Sequence, residues 1–305
     1  MFTPFAFFKK PKVTIIAPPP PPFVPSDSDA QAFITAAAIT NETQQSAIDN
    51  LVIALKAKTG IWNKMKAIYP IVGGTAFTHQ FNLKTPNENY NSFPLTFNGT
   101  IYHSSTGMLP DGTSGYANTH FNPLLEVIDP EYDWTAHFSV YFGAPDIGTD
   151  VGAQAGVNII RGTDGDTFYA GESQFLITGY DSAKGAYKSA YAINTDSGPN
   201  IPERDFSDSP TDGLYVVNRN NSIIKVFKQN ILAETDSDNR TPFWANNNFY
   251  LLGMNRYYPD LDAYDIQYGT RQLRFATIGD GLTDAEATDL YNAITNFQTA
   301  LGRAV

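Results

Sequence analysis

The chain has 305 residues, of which 42% are hydrophobic, 17% charged and 13% aromatic. That length supports one large β-domain or two ordinary ones, and so few charges beside so many Tyr and Phe mark a chain that folds. A formal net charge of −11 argues against a nucleic-acid partner, and the absence of Cys excludes disulfides, thiolate metal sites and cysteine nucleophiles. Missing bridges in a β-rich chain point to maturation in a reducing cytoplasm. His79, His103, His120 and His137 are scattered and never reach a metal-ligand spacing.

The first ten residues are apolar, but Lys9 and Lys10 follow the apolar run instead of preceding it, and Pro4 and Pro11 interrupt the segment. This is not the pattern of a secretory signal, and no apolar run approaches the length of a transmembrane helix. Residues 1–25 read as an extended arm. Phe2, Phe5, Phe7 and Phe8 form an aromatic tip, and Pro18 to Pro22 form a stiff polyproline II spacer. A frayed tail is the plainer reading. The cost of exposing four phenylalanines favours an arm that docks elsewhere and anchors the chain to a particle.

Residues 26–74 are expected to form a helical module. Ser26, Asp27 or Ser28 can cap a helix bearing Ala30, Phe33 and Ile34; Asn41 restarts one in which Ile48, Leu51, Val52 and Leu55 recur at helical spacing. Ile61 to Tyr69 is expected to be a third helical piece, stopped by Pro70. Residues 75–305 change character, with short alternating runs separated by Gly, Asn, Asp and Pro. Phe77–Leu83, Leu95–His103, Thr135–Phe142, Gly213–Asn218, Ile223–Phe227, Asn248–Gly253 and Leu273–Gly279 are among the expected strands of an antiparallel β-sandwich. The sandwich is closed by an amphipathic helix over 283–301, where Thr283 and Glu286 form a capping box ahead of the stripe Ala287, Leu290, Ile294, Phe297 and Leu301.

The segment Phe275 to Tyr291, with Leu282-Thr283-Asp284-Ala285-Glu286 at its centre, resembles the close of concanavalin A-like and laminin-G-like domains. Ser222 to Asn230 is similar to a hairpin of the same domains, although Gln229-Asn230 lacks the usual glycine. The resemblance implies a mainly β, jelly-roll sandwich. A narrower likeness runs through Ile61 to Gly74, Phe97 to Gly99, His103 to Gly107 and Asn296 to Arg303. These strings resemble virion structural proteins of bacteriophages with Bacteroidetes-type hosts, which carry a lectin-like domain. That likeness implies a place on a virus particle, other virion proteins as partners, and homo-oligomerisation.

Enzymes of the concanavalin A-like fold pair carboxylates on one strand face. Here Glu126 and Asp129 are three residues apart, which on a strand turns them to opposite faces, and Pro130 breaks the strand before Glu131. A non-enzymatic protein is expected, with a polysaccharide-cleaving enzyme or a ligand-free capsid or decoration protein as alternatives. No cofactor is required. Laminin-G-like domains often hold Ca²⁺, and Asp236, Asp238 and Asn239 are the first place to look for one, although ordinary turn chemistry is the favoured reading of the cluster. His103, Ser104 and Ser105 lack the surroundings of a nucleophile. Trp244, Tyr257 and Tyr258, in Asn-rich sequence, are the candidate glycan contacts: their rings can stack on sugars while amides read hydroxyls. The expected role is thus a structural protein of the virion that presents a lectin-like face for assembly or for host-surface carbohydrate.

Overall fold

The computed structural model describes residues 22–57, 60–126, 135–146, 152–164, 167–181, 186–196, 206–207, 212–237, 245–258 and 261–305. The strands of one sheet, called sheet A, run in the order β13 (Ile231–Ser237), β12 (Ile223–Lys228), β11 (Gly213–Asn220), β6 (Thr135–Asp146), β17 (Arg271–Gly279), β4 (Gly107–Pro110) and β3 (Ile101–Ser104); β1 (Met65–Tyr69) also pairs with β17. Sheet B runs β10 (Phe206–Ser207), β9 (Ala186–Asp196), β8 (Thr167–Asp181), β7 (Gly152–Asp164), β14 (Tyr250–Leu251), β5 (Tyr116–Asn118) and β2 (Thr96–Asn98). A hairpin of β15 (Gly253–Tyr258) and β16 (Ala263–Tyr268) joins sheet B through β7. Among the described pairs only β15 with β7 is parallel; the other pairings are antiparallel, in keeping with the expected topology.

Alternation along each strand builds three layers. In β11, Tyr215 and Val217 join Phe138, Val140 and Phe142 of β6 in a core shared with Ala117, Leu251 and Ile193 of sheet B. Leu214 and Val216 point the other way, into a second core with Phe275 and the helices α1 (Ser28–Ala36), α2 (Glu42–Ala57) and α6 (Asp284–Ala300). Sheet A therefore lies between sheet B and a helical layer. Its central strand β17 is buried at every position, as strands covered on both faces are. The chain is a β-rich core of two sheets with N-terminal and C-terminal helices packed around it. The expected N-terminal helices and C-terminal helix are both present, and they pack together as one layer on sheet A.

Capping fixes the helices as the sequence anticipates. Asp27 is the N-cap of α1, accepting from the amides of Asp29 (2.8 Å) and Ala30 (3.4 Å). Asp49 of α2 in turn accepts from Ser26 Oγ at 2.9 Å and from the Asp27 amide at 2.9 Å, which docks the start of α1 on α2. In α6 the Thr283 hydroxyl accepts from the Glu286 amide (3.2 Å), and Glu286 Oε2 accepts from the Thr283 amide (2.7 Å). The same carboxylate oxygen receives Lys64 Nζ at 2.6 Å. Burial opposes its charge, yet the Lys64 ammonium and the Thr283 amide hold the Glu286 carboxyl below its ordinary value.

Two elements differ from expectation. The helix predicted over Ile61 to Tyr69 ends after one turn, α3 (Ile61–Lys64), and the chain continues as β1 along β17. Met65 and Ile68 meet the helices while Ala67 and Tyr69 face sheet B, so a strand covered on both sides mimics helical spacing. The strand predicted over Phe77 to Leu83 begins instead as a helical turn, α4 (Ala76–His79), because Thr75 and Thr78 make a reciprocal cap. The hairpin β12–β13 turns through Gln229 and Asn230, both at positive φ (49° and 62°), so these two residues adopt the conformation that glycine usually supplies.

Near the end of the chain, two buried arginines, Arg274 and Arg303, close the sheet A margin, and among the described residues neither is paired with a carboxylate. Arg303, 5% exposed, donates to the carbonyls of Ile71 (2.7 Å), Pro70 (3.3 Å), Ser105 (3.4 Å) and Arg274 (3.4 Å), and to Gln298 Oε1 (3.0 Å). Arg274 donates to the Arg303 carbonyl at 2.7 Å. Burial, helped by the neighbouring Arg274 charge, pushes the Arg303 guanidinium down to about 9. One side chain thus ties backbone carbonyls of three separate segments to the Gln298 side chain of α6. Arg303→Ala leaves them unpaired and is expected to lower the unfolding free energy by about 3 kcal/mol in chemical denaturation, with Arg303→Lys recovering only part of the loss. A cost well below about 1 kcal/mol would show that the fork does not hold these segments together.

Candidate functional site

The face of sheet B turned away from the core carries aromatic and amide side chains. In β5, Ala117 is buried in the core, so Tyr116 and Asn118 point outward. In β14, Leu251 is buried and Tyr250 points outward, directly across from Asn118. In β2, Phe97 packs on the core and Thr96 and Asn98 share the outer face, paired with Asn118 and Tyr116.

Five tyrosines gather around this face; one of them, Tyr257, also packs against the edge of the inter-sheet core. The rings of Tyr116 and Tyr250 stack with centroids 4.7 Å apart, and Tyr268 lies 6.5 Å from Tyr116. Tyr257 and Tyr264, a cross-strand pair of the β15–β16 hairpin, stack at 4.4 Å. Tyr264 is close enough to Tyr250 to perturb it. Gly253 permits the hairpin to close on the sheet: a Cβ at that position would sit 3.5 Å from Tyr116 Cβ and 3.2 Å from the Gln267 carbonyl. Burial, followed by the neighbouring Tyr116, pushes the Tyr250 phenol up to about 12. Burial and Tyr268 also raise Tyr116. These hydroxyls are uncharged hydrogen-bonding groups at any physiological pH.

The row continues along β5. His120, held at φ 58° by the turn in which its amide donates to Asn118 Oδ1, places Nε2 2.8 Å from Thr96 Oγ1. Its ring stacks on Tyr90 at 4.1 Å, with planes 17° apart. The two most exposed rings of the row, Tyr264 (66%) and Tyr90 (63%), stand at its two ends.

Of the glycan contacts read from sequence, Tyr257 joins this cluster, donating to Asp262 at 3.3 Å. Tyr258, its neighbour in β15, points to the opposite face of the hairpin, as successive strand residues do. Trp244 lies outside the described residues, as do Asp238, Asn239, Phe2, Phe5, Phe7 and Phe8. Asp236 sits in β13 opposite Ile224. Among the described residues no group of three or more His, Asp or Glu side chains is arranged to hold a metal ion. Glu126 lies in the one-turn helix α5 (Pro123–Glu126), where burial raises its carboxyl, while Asp129 and Glu131 fall outside the described residues. Sequence reading missed Tyr90, Tyr116, Tyr250, Tyr264 and Tyr268. Outward positions flanked by core positions, such as Tyr116 beside Ala117, were the available signal.

His103, singled out beside Ser104, pairs with His79 at the far margin of sheet A. Their Nδ1 atoms are 3.0 Å apart. The Gly74 amide donates to His79 Nε2 at 3.2 Å, so His79 carries its proton on Nδ1 and donates to His103. Ser104 hydrogen-bonds Thr106 at 2.9 Å in the hairpin turn, a structural role.

No family model matches the chain, and no curated protein matches it. Solved structures with related shapes include domain 4 of AbnA, a GH43 extracellular arabinanase from Geobacillus stearothermophilus, in complex with arabinotriose. It is 16% identical over 74% of this chain and 98% of that one, with a TM-score of 0.41. The CBM40 of Ruminococcus gnavus IT-sialidase is 15% identical over 50% of this chain and 80% of its own, with a TM-score of 0.32. Trypanosoma rangeli sialidase is 11% identical over 86% of this chain and 39% of that one, with a TM-score of 0.42. These overlaps assign no fold family, and the functional argument stands on the residues above.

All four histidines are held neutral by the fold. Burial, then the His103 and Arg303 charges, lowers His79 to about 3; burial lowers His137 to about 4, and it lowers His103 and His120 as well. In the unfolded chain each takes up a proton at about 6.5. Their contribution to stability is therefore complete above that value and is lost as pH falls from about 6.5 toward about 4. The thermal midpoint is expected to be level between pH 7 and 8 and to drop steadily below pH 6.5. A midpoint unchanged down to about pH 5 would contradict neutral burial of these rings.

Proposed function

We propose that the chain is a non-catalytic carbohydrate-binding protein, its two sheets forming a lectin-like sandwich of the concanavalin A-like kind. The observation that carries this reading is the partly exposed tyrosine cluster beside Asn98, Asn118 and Thr96 on the outer face of sheet B. Sugar rings present apolar C–H faces and equatorial hydroxyls. Aromatic faces match the first and phenol, amide and hydroxyl groups match the second, at little entropic cost because tyrosines are already packed in pairs. The non-catalytic part rests on the three-residue spacing of Glu126 and Asp129, which does not fit paired carboxylates on one strand face.

The placement of the protein on a bacteriophage particle, in homo-oligomeric form and against other virion proteins, rests on the Trp62 to Pro70 string and the Pro18 to Pro22 spacer. In the fold that string is a joint: the Lys84 ammonium lies 4.0 Å from the Trp62 ring centroid, and Lys64 reaches α6. Immunolabelling of purified particles tests the placement, and particles devoid of the protein would overturn it.

For the binding site, a glycan array probed with the full chain is expected to give selective hits. Tyr116→Ala and Tyr250→Ala should each weaken the best hit by about tenfold, the size of one lost aromatic contact. Glu126→Gln should leave binding intact. Sugar release that disappears in Glu126→Gln would instead establish an enzyme.

A further inference from the structure

We infer that the site takes an internal stretch of a linear, unbranched oligosaccharide, and that Tyr90 and Tyr264 mark its two ends. This deepens the proposed carbohydrate-binding function and rests on it. The argument comes from how the outer face is spaced. Tyr116 and Asn118 share the outer face of β5, and the turn beyond it brings His120 to Thr96, so Asn118 and Thr96 stand between the Tyr116–Tyr250 stack and the His120–Tyr90 stack. The interval is filled by short polar side chains: Asn118 in the middle, with Thr96 directly across from it on β2. Beyond Tyr116 the row goes on through Tyr250 and Tyr268 to the Tyr257–Tyr264 stack of the hairpin.

The pattern is therefore ring stack, amide and hydroxyl, ring stack, hairpin stack. A single terminal sugar would need one aromatic wall with polar groups converging around it. Here the aromatics are strung out, and exposure rises toward both ends, at Tyr90 (63%) and Tyr264 (66%). That arrangement leaves a bound chain room to continue past either ring.

Charge also bears on the ligand. The described cation nearest the hairpin stack, Arg256, is paired with Asp265. The Tyr257 hydroxyl is engaged with the Asp262 carboxylate. Tyrosines, asparagines and a neutral His120 make up the rest of the row, so the matching ligand is an uncharged chain in place of one that bears a carboxylate or sulfate on each unit.

The test is calorimetric titration of the full chain with ladders of cello-, laminari-, manno- and malto-oligosaccharides, from disaccharide to hexasaccharide, beside the glycan array. For at least one ladder, affinity is expected to rise by about tenfold or more between the disaccharide and the pentasaccharide and then level off. Tyr90→Ala and Tyr264→Ala, both at exposed positions and checked for an unchanged thermal midpoint, should each cost about tenfold with the pentasaccharide and leave the disaccharide unaffected. Affinity that is flat along every ladder, or array hits confined to terminal, branched or acidic sugars, would overturn the linear-chain inference while carbohydrate binding stands. Silence on both ladders and array would remove the carbohydrate reading as well.

Discussion

The central strands of sheet A, β11, β6 and β17, are covered on both faces, and most of the molecule follows from that constraint. A sheet with helices on one side and a second sheet on the other has no solvent face on which to place its polar groups. Each buried polar side chain must be satisfied inside. Asn218 exchanges two hydrogen bonds with Leu282, donating to its carbonyl at 2.9 Å and accepting from its amide at 2.7 Å, and so fixes where the chain leaves β17 for α6. Asn82 accepts from the Ile68 amide at 2.9 Å and donates to the Lys66 and Ser92 carbonyls, both at 3.1 Å, which locks β1 in place. His137 and Ser139 share Thr277 across the β6–β17 pair. Losing any of these partners costs the desolvation of the group left behind, so the polar network specifies one arrangement of the layers.

The same constraint ties the two ends of the sequence together. β1 pairs with β17, Lys64 meets Glu286, and Arg303 holds the Pro70 and Ile71 carbonyls. Gly60 sits at φ 98° where a Cβ would lie 2.9 Å from Glu286 Oε1, so the residue that opens α3 is shaped by the helix cap more than two hundred positions away. Lys64 and the apolar residues Ile61, Met65 and Ile68 of the string around Trp62 are spoken for by this joint.

How much of this was legible in the sequence depends on whether a segment answers to a local rule. The Thr283–Glu286 box and the α6 stripe obey local capping and periodicity, and both appear in the fold as read. So does α2, whose face was plain from Ile48, Leu51, Val52 and Leu55. Ile61 to Tyr69 was not legible because burial on two faces erases the alternation that marks a strand; what remains can be matched to a helix just as well. At Phe77 a reciprocal threonine cap, Thr75 with Thr78, overrides the strand-like composition. The candidate site was half legible. Asn-rich sequence drew attention to Tyr257 and Tyr258, but which of them faces the row depends on the register of the β15–β16 hairpin. Tyr116, Tyr250 and Tyr90, scattered over some 160 positions, meet only through sheet pairing.

Where a ligand can sit is itself a consequence of the layering. The central strands of sheet A have given both faces to packing, and the margin beside β3 and β4 is occupied by Arg303, Arg274 and the His79–His103 pair. Sheet B is the outer β-layer, and its strands answer to the core on one side only. Ala117 and Leu251 supply that side, which leaves Tyr116, Asn118 and Tyr250 unconstrained by the core and open to another use. Tyrosine suits that use and the fold at once: its ring adds to packing when paired, as in the Tyr116–Tyr250 and Tyr257–Tyr264 stacks, while its hydroxyl stays at the surface. A row of such pairs is stiff before any ligand arrives, so binding need not order it. The placement of the aromatic row on sheet B follows from the central strands of sheet A having no free face to offer.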